Sequence, residues 1–431
     1  MLDIKLIREN PAIVKQSESK RGKDVKIVDK ILKLDAQWRK LKQDVDKLRG
    51  MRNKLSKQIN KFKKQKQEDK AKKLIQEAKQ IPEKIKKIQA QADKVFEERD
   101  SLRYQVGNIL HKSVPKKQKV VRTWGKKTKF AFKPKSHVDL IAQLDLADTK
   151  KAGEVVGARF YYLKNELVLL NFALQKFAFD LLMKKGYIPI LTPFMLGENA
   201  MKGVSELGDF KETLYKIDGE NLYLIATSEQ TIIAYHYDEI IPETELPLKY
   251  IGFSTNFRKE AGAHGKDTKG IFRTHQFDKI EQIVFCKPED SWKFHEEMTK
   301  NSEELYQKLG IPYRVVNIGA DDMNDNGAKK YDIEGWFPVQ KQYRELGSGT
   351  NCTDYQARKS KIKMQKKNNT IDFLHTLNCT GLATERTIVA ILENFQQKDG
   401  TIKIPKVLWE YTGFKEIKPK KNEVKKNSKN K

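Results

Sequence analysis

The sequence predicts an α+β fold in which a long antiparallel helical hairpin precedes a body of mixed strands and helices. Three observations indicate this. Apolar residues follow a heptad repeat through most of residues 26–110, strand-like and helical segments alternate from about residue 136 onward, and two β-type runs within 251–285 flank a Gly-rich loop. A chain of 431 residues is long enough to bury two or three separate cores.

The chain is strongly basic, with a formal net charge of +28 at pH 7. An excess of this size favours a polyanionic partner such as a nucleic acid, because binding releases counterions condensed on the phosphates. The alternative is a lysine-rich surface that serves no specific partner. Composition alone leaves both interpretations open.

Cysteine usage and hydropathy favour a cytoplasmic protein. Cys286, Cys352 and Cys379 are isolated, with no CxxC pair, so we predict neither a disulfide framework nor a zinc site. The opening MLDIKLIREN lacks the apolar core of a signal peptide. The apolar stretch Leu167–Met183 is interrupted by polar residues, which indicates a packed helix and no membrane span.

Two heptad seams predict the hairpin, at about residues 26–110. Their 4,3 spacing is typical of a coiled coil, and a polar stretch at 63–70 separates them. Each helix would span about 36 residues, or roughly 50 Å. Pro82 predicts a kink or a restart of the second helix. The seams are Ile27, Ile31, Leu34, Trp38, Leu41, Val45 and Leu48, then Leu74, Ala78, Ile81, Ile85, Ile88, Ala92 and Val95, with a break at Arg99.

The outer faces of this hairpin carry many lysines. They suit contact with phosphates, although a solvated coiled-coil surface or a protein partner fits equally well. Residues 112–135 contain no acidic side chain and predict a basic linker or short strands, and 414–431 predict a basic, disordered tail. The lysines are Lys40, Lys42, Lys57, Lys64, Lys84 and Lys87.

The body opens with a predicted helix at 166–185 that ends at Gly186, followed by a strand bounded by Pro193. The most informative segment, 251–285, predicts a long β-hairpin whose tip, 262–270, is mobile.

Period-2 geometry places Arg258 and Glu260 on one face of the first strand of this hairpin. On the second strand it places Phe277, Lys279 and Glu281, together with His275, on one face. An arginine, a ring and carboxylates on one sheet face suit a nucleotide and an amino acid. The alternative is a solvent-facing hairpin with cross-strand ion pairs.

Several ordered motifs resemble the class II aminoacyl-tRNA synthetases, in their seryl form. FRKEAGAHGKDTKGIFRTHQFDKIEQ resembles motif 2, LNCTGLATERTIVAILENFQ resembles motif 3, and KKGYIPILTPFM, with Pro193, resembles motif 1. ATSEQ at 226–230 resembles the amino-acid-binding loop, and RELGSGTNCTDYQARK at 344–359 resembles a signature of the family. The resemblance covers roughly residues 1–413 and is closest to the eukaryotic and archaeal branch.

The resemblance implies a catalytic core at 136–413, built as an antiparallel β-sheet flanked by helices, and a tRNA-binding arm at 1–111. It implies a homodimer in which tRNA(Ser) is held across the two subunits, with tRNA(Sec) as a second candidate. The implied reaction activates L-serine with ATP to seryl-adenylate and pyrophosphate, then transfers serine to the 3′ end of the tRNA. Mg²⁺ is the expected ion, and no zinc is expected.

The resemblance also implies roles for the nucleotide site. Arg258 would hold the α-phosphate, Glu260 the adenine amino group, and Arg386 the γ-phosphate, while Phe277 would stack on the base. Glu345 and Ser348 would ligate Mg²⁺. The remaining implied ATP-binding residues are Lys259, Thr274, His275, Gln276, Leu346 and Gly347.

The resemblance implies serine recognition by six residues. It implies a catalytic role for two of these, Arg258 and Glu281, and also for Arg386. The alternative for Thr227 is a helix N-cap, in a capping box with Gln230. For Asn378 and Thr380 the alternative is a turn before a helix at 382–395. The six are Thr227, Glu229, Arg258, Glu281, Asn378 and Thr380.

Three positions depart from the family pattern. Gly347 stands where the family usually has Ser or Thr, and Thr350 stands where it has Ser. Glu385 precedes Arg386, where a small or neutral residue is usual, so we predict that it faces away from the triphosphate. His264 has no metal-like partner, and we expect it to form ordinary hydrogen bonds.

Two other functions compete with a seryl-tRNA synthetase. One is a carrier-protein amino-acid ligase on the same body, but those relatives lack an arm. The other is a non-catalytic RNA-binding paralogue, which would require the loss of Arg258, Glu281, Glu345 or Arg386. All four are present.

Overall fold

A computed structural model describes residues 1–205, 213–260 and 269–419. The chain divides into two compact units, Met1–Ile109 and Leu110–Lys431. Most of the predicted mobile tip, His264 and the end of the predicted tail lie outside the described residues.

The first unit is helical and contains the predicted antiparallel hairpin. Trp38 contacts Phe96, with ring centroids 5.6 Å apart, and Arg49 Nη2 donates to Gln89 Oε1 at 3.4 Å, so the two long helices run in opposite directions. The second continues through Pro82 without a restart, and it ends before the predicted limit near residue 110. The helices are α1 (Ile4–Glu9), α2 (Pro11–Lys20), α3 (Lys26–Lys64) and α4 (Glu68–Arg103).

The break in the second seam holds a buried ionic cluster. Asp35 accepts hydrogen bonds from Arg8 Nε at 2.6 Å, Arg39 Nε at 3.1 Å and Arg99 Nη1 at 2.9 Å. The Arg99 guanidinium also lies over the Trp38 ring. Burial alone would raise the pKa of Asp35, but the hydrogen bonds and charges of Arg8 and Arg99 lower it. The cluster therefore ties α1, α3 and α4 together where the apolar repeat stops.

Removing this carboxylate should destabilise the chain. We expect Asp35→Asn to lower the free energy of unfolding by about 3 kcal/mol at pH 7, because it removes one of the two carboxylates that pair with buried Arg99 and also the carboxylate that pairs with Arg8. Since the folded-state pKa of Asp35 is lowered, its stabilisation is present at neutral pH and is lost as the pH falls through that value. Denaturant unfolding followed by far-UV circular dichroism measures the change.

The matched control is Asp46→Asn on the same helix, where an exposed carboxylate lies 3.6 Å from Arg49. Exposed pairs contribute about 0–1 kcal/mol, so this variant should unfold like the wild type. Equal stability of the Asp35 and Asp46 variants would contradict the structural role of the cluster.

The second unit contains a mixed sheet with helices packed on it. Its helices are α5 (His137–Gln143), α6 (Thr149–Val155), α7 (Glu166–Met183), α8 (Glu198–Val204), α9 (Ser228–Tyr235), α10 (Ser291–Leu309), α11 (Tyr355–Ser360), α12 (Thr384–Phe395) and α13 (Trp409–Thr412). Short 3₁₀ turns lie at Glu243–Glu245, Pro288–Asp290, Ala320–Asp322 and Lys406–Leu408.

Among the residues that the structure describes, the strands of this unit form one large sheet, one three-stranded sheet and three two-stranded sheets. They are β1 (Lys119–Trp124), β2 (Ala147–Asp148), β3 (Tyr162–Leu163), β4 (Ile188–Leu191), β5 (Met195–Gly197), β6 (Leu222–Leu224), β7 (Ile240–Pro242), β8 (Leu248–Phe257), β9 (Gln276–Cys286), β10 (Tyr313–Asn317), β11 (Lys329–Phe337), β12 (Gln342–Asn351), β13 (Lys363–Gln365), β14 (Ile371–Phe373), β15 (His375–Ala383), β16 (Ile402–Lys403) and β17 (Glu416–Ile417).

In the described part of the chain, the large sheet has eight strands in the order β1-β10-β11-β12-β15-β9-β8-β4. All neighbours are antiparallel except β4 and β8, which are parallel. The segment predicted as a basic linker or short strands thus supplies the edge strand β1. The predicted start of the disordered tail, at residue 414, is wrong, because β17 lies within it and pairs with β16.

The core lies between this sheet and the helices α7, α10 and α12. Leu174 of α7, Tyr306 of α10 and Ile391 of α12 are buried in one cluster with Ile251 and Ile280 of the central strands. Because these strands are covered by apolar packing, their polar side chains can hold fixed positions at the strand ends. Among the described residues, no helix has the length and apolarity needed to cross a membrane.

Candidate active site

The predicted hairpin forms one wall of a cavity. Strands β8 and β9 pair from Leu248↔Phe285 to Phe257↔Gln276. Arg258 follows the last residue of β8, and its guanidinium carbon lies 5.2 Å from the centroid of the Phe277 ring. Arg258 and Glu260 therefore lie beyond the strand that we predicted would carry them, although both line the cavity.

The opposite wall comes from β12 and the start of α12. Arg386 Nη1 lies 3.3 Å from Glu345 Oε2 and donates to the Glu345 carbonyl at 3.2 Å. Arg258, Phe277, Glu345 and Arg386 all line the cavity. The side chains that the sequence placed far apart thus converge on one cavity.

Two β-bulges decide which residues reach this cavity. In a regular strand, residues three apart point to opposite faces. Opposite β11, the register of β12 shifts at Leu346, and both Glu345 and Ser348 line the cavity. Opposite β9, β15 shifts between Thr380 and Leu382, and both Thr380 and Ala383 line it. Each bulge adds one residue and brings two odd-spaced side chains to the same face.

Most of the predicted ATP-binding residues line the cavity, and three do not. Lys259 and Gln276 lie outside the lining, as does His275, which hydrogen bonds the Tyr215 hydroxyl at 3.0 Å and the Arg258 carbonyl at 2.8 Å. The predicted residues that line it are Arg258, Glu260, Thr274, Phe277, Glu345, Leu346, Gly347, Ser348 and Arg386.

The cavity also has lining residues that the sequence did not identify as site residues. Arg273 forms an ion pair with Glu260, and Phe272 lies 5.5 Å from the Arg386 guanidinium carbon. Arg273 had a usable signal, because it lies in the motif 2 segment only four residues before Phe277. The additional lining residues are Phe272, Arg273, Lys279, Ala383 and Glu385.

Of the predicted serine-binding residues, Thr380 and Arg258 line the cavity. The others belong to two clusters of hydrogen-bonded side chains. In the first, Glu281 pairs with Lys279 Nζ at 2.6 Å, and the Thr380 hydroxyl lies 3.4 Å from Glu281 Oε2. Burial raises the pKa of Glu281, while Lys279, which lines the cavity, opposes that rise. The Glu281 carboxylate is therefore held by a cation and contacts two residues that line the cavity.

In the second cluster, Glu229 Oε1 accepts from Asn378 Nδ2 at 3.0 Å and from Gln356 Nε2 at 2.9 Å. Thr227 caps α9, as the alternative interpretation predicted, but its hydroxyl accepts from Glu229 N at 3.2 Å. The predicted capping box is wrong in detail, since the Gln230 side chain accepts from Ala226 N.

Oxygen ligands for a hard cation lie next to Arg386. Although burial opposes it, the positive charges of Arg386 and Lys330 lower the pKa of Glu345, so this carboxylate is ionised. Asp332 faces Ser348 across the β11–β12 ladder, and its buried Oδ1 lies 3.5 Å from Lys330 Nζ. Within the described residues, no group of three or more His, Cys, Asp or Glu forms a complete metal site. These oxygens fit an ion whose other ligands come from phosphate or water.

The carboxylate of Glu385 is directed at protein donors. It accepts hydrogen bonds from the Tyr161 hydroxyl and, at 3.0 Å, from Asp278 N. The residue nevertheless contributes to the cavity wall, beside Arg386. Burial, followed by the Asp278 carboxylate, raises the pKa of Glu385 to about 7.

Comparison with known proteins identifies the family. Residues 1–110 match the model of the seryl-tRNA synthetase N-terminal domain, and 213–395 match the tRNA synthetase class II core domain (G, H, P, S and T). A serine–tRNA ligase from Pyrococcus abyssi is 46% identical, over 97% of this chain and 98% of its own. The chain belongs to the seryl-tRNA synthetase family.

Solved structures of seryl-tRNA synthetases have the same fold. One from Pyrococcus horikoshii, complexed with ATP, has a TM-score of 0.93 at 44% identity and covers 98% of this chain and 100% of its own. The cytoplasmic enzyme from Naegleria fowleri, in complex with AMP, has a TM-score of 0.87 at 42% identity and covers 98% and 99%. This confirms the predicted family and its class II fold.

The geometry explains the departure at Gly347 from the usual seryl-tRNA synthetase pattern. A Cβ built on Gly347 would lie 2.7 Å from Thr380 Cβ and 2.8 Å from Thr380 Cγ2. Both residues line the cavity on neighbouring strands. The threonine therefore leaves room for nothing larger than glycine opposite it.

A methyl group at this position should force the two strands apart. We expect Gly347→Ala to lower the free energy of unfolding by about 1–3 kcal/mol, the usual cost of overpacking. Adding Thr380→Gly, which removes the clashing atoms, should restore part of the loss of thermal midpoint. Gly50→Ala, where the added Cβ meets nothing within 4 Å, is the control and should not lower the midpoint. A Gly347→Ala midpoint equal to the wild type would contradict the proposed clash.

Proposed function

We propose that this cavity forms seryl-adenylate from L-serine and ATP, and that the chain then transfers serine to tRNA(Ser), with tRNA(Sec) as a second candidate. The observation that carries the proposal is the convergence of Arg258, Phe277 and Arg386 on one cavity, with the buried Glu281 in contact with lining residues of that cavity. Two guanidinium groups suit a polyphosphate, a ring suits a base, and a carboxylate suits an ammonium or hydroxyl group.

In the proposed reaction, an oxygen of the serine carboxylate attacks the α-phosphorus and pyrophosphate leaves. Arg258 stabilises the charge that develops on the α-phosphate oxygens, and Arg386 binds the γ-phosphate. Both guanidiniums are oriented in advance, Arg258 by the Ala226 carbonyl at 3.3 Å and Arg386 by Glu345. No side chain is required as a general base, because the attacking carboxylate is already ionised.

We also propose that Glu345 and Ser348 hold Mg²⁺ together with the phosphates. The ion would neutralise phosphate charge during displacement. The ionised Glu345 carboxylate, which lies next to Arg386, supports this role.

For serine, we propose that Glu281 and Glu229 divide the ammonium and the hydroxyl group between them, with Thr380 at the cavity wall and with Thr227 and Asn378 in support. Both carboxylates are buried or partly buried and already hydrogen bonded, so each has a fixed direction. A site built to bond a hydroxyl rejects alanine by about 10⁴-fold, because its polar groups would otherwise be unpaired.

Serine-dependent ATP–pyrophosphate exchange tests the activation step. We expect Arg258→Ala to lower kcat/KM by about 10²–10³-fold, the effect of losing one donor to a developing oxyanion. Arg49→Ala, on the exposed surface of α3, is the matched control and should retain exchange. Exchange that depends on another amino acid, or that survives in Arg258→Ala, would refute the proposal.

We propose residues 1–111 as the tRNA-binding arm of a catalytic core at 136–413. The predicted lysines support this, because Lys40, Lys57, Lys64 and Lys84 are exposed along α3 and α4. Nucleic acid backbones are held through such phosphate contacts, and double-helical RNA is recognised largely by shape.

Shortening the arm should separate the two half-reactions. Deleting residues 50–88 and joining Arg49 to Gln89 through two glycines keeps the Asp35 cluster, because Arg49 and Gln89 already pair across the hairpin. We expect pyrophosphate exchange to be retained and transfer to tRNA(Ser) to be lost, as measured by acid-precipitable serine. A chain with two glycines inserted after Gln65, in the natural turn, is the control. Full charging by the shortened chain would exclude the arm from tRNA binding.

We further propose a homodimer, with tRNA bound across it, in the cytoplasm. An exposed apolar surface on α7 and β4 supports the dimer, since Leu191 is 74% exposed and Leu169, Phe172 and Ile188 are about half exposed or more. Patches of this kind mark protein–protein contacts. The surface adjoins Pro193, the motif 1 proline.

A further inference from the structure

Glu385 joins the two strands that carry the nucleotide-binding side chains. It is 2% exposed and is the second residue of α12, directly before Arg386. Both of its carboxylate oxygens lie 3.0 Å from the backbone nitrogen of Asp278, directly after Phe277. The Glu385 carboxylate therefore contacts Asp278, the residue after Phe277 on one wall of the cavity. Glu385 itself directly precedes Arg386 on the opposite wall.

The hydrogen bond between Asp278 N and Glu385 continues the pairing of the sheet beyond its last backbone pair. The β9–β15 ladder ends at the pair Lys279↔Ala383, where β15 turns into α12. The next nitrogen along β9, that of Asp278, bonds the Glu385 side chain in place of a backbone carbonyl. A buried N–H without an acceptor would cost about 1–3 kcal/mol, so this carboxylate holds the end of β9 in register.

Further hydrogen bonds fix both partners. The Tyr161 hydroxyl donates to Glu385 Oε1, and the Thr384 hydroxyl lies 3.1 Å from Oε2. The Asp278 carboxylate in turn accepts from Thr255 at 2.7 Å and Asn171 at 3.0 Å. Neither side chain can rotate without breaking several hydrogen bonds.

We infer that Glu385 is a positioning residue for ATP, setting the Phe277 ring at the correct distance from Arg386. The inference rests on the proposed function of the cavity. We assign the effect of Glu385 to the length and orientation of its side chain, because its carboxylate oxygens accept hydrogen bonds from N–H and O–H donors. A charge acting on the triphosphate would be the competing role.

Two variants separate reach from charge. Glu385→Gln loses the charge and keeps an oxygen that accepts from both Asp278 N and the Tyr161 hydroxyl. Glu385→Asp keeps the charge, but its shorter side chain withdraws the oxygens from Asp278 N. Glu393→Asp is the matched control, because Glu393 is a buried glutamate on the same helix that accepts from His137 N at 3.3 Å.

The readouts are KM for ATP and serine in pyrophosphate exchange, and inhibition by adenosine and by inorganic tripolyphosphate. We expect Glu385→Asp to raise KM for ATP and the adenosine inhibition constant about tenfold, as for a lost charged hydrogen bond. KM for serine and inhibition by tripolyphosphate should change less than about twofold, since both arginines remain. Glu385→Gln should stay within about threefold of the wild type throughout.

Three results would overturn the inference. The first is a Glu385→Asp enzyme with unchanged adenosine inhibition. The second is a Glu385→Gln enzyme that binds tripolyphosphate more tightly with adenosine unchanged, which would show a charge effect. The third is a joint rise of both KM values in the Glu385 and Glu393 variants, which would show a general structural effect. A wild type without serine-dependent exchange would instead refute the proposed function itself.

Discussion

The pairing of β9 with a strand on each side is the constraint on which the site depends. On one side β8 delivers Arg258 next to Phe277, and on the other β15 delivers Thr380 and leads into Arg386. Thr380 and Arg386 lie more than a hundred residues after Phe277 in the sequence. Because β9 is hydrogen bonded along both edges and buried on its inner half, its side chains have one register. Electrostatic preorganisation of the cavity follows from that register.

The sequence predicted the long elements well, and it failed where one contact replaced a repeating rule. Heptad spacing is set by packing alone, so it located α3 and α4 correctly. It gave no account of Arg99, because the partner that makes this arginine acceptable in the seam is Asp35, a residue 64 positions away. A periodic pattern predicts a face, but it cannot name the residue that neutralises a buried charge.

The candidate site shows the same division between local and distant information. Period-2 geometry correctly brought Phe277 and Lys279 to one face, since alternation is a local property of a strand. It could not show why Glu345 and Ser348 share a face, because that depends on a bulge formed against β11. Likewise, the sequence shows only that Gly347 lacks the hydroxyl group usual in the family. The structure shows that Thr380 occupies the space that a side chain at this position would need. The motif resemblance supplied these residues, and the pairing of strands explains them.

Three of the cations that line the cavity are paired with carboxylates before any phosphate enters. Arg386 pairs with Glu345, Arg273 with Glu260, and Lys279 with Glu281. Isolated cations gathered in one cavity would repel one another and be costly to desolvate, so each carboxylate both offsets that cost and orients its partner. Glu385 differs from these acids, because its contacts are with N–H and O–H groups and its role is geometric. Charge pairing and strand register thus fix separate features of the cavity, the first its electrostatics and the second its geometry.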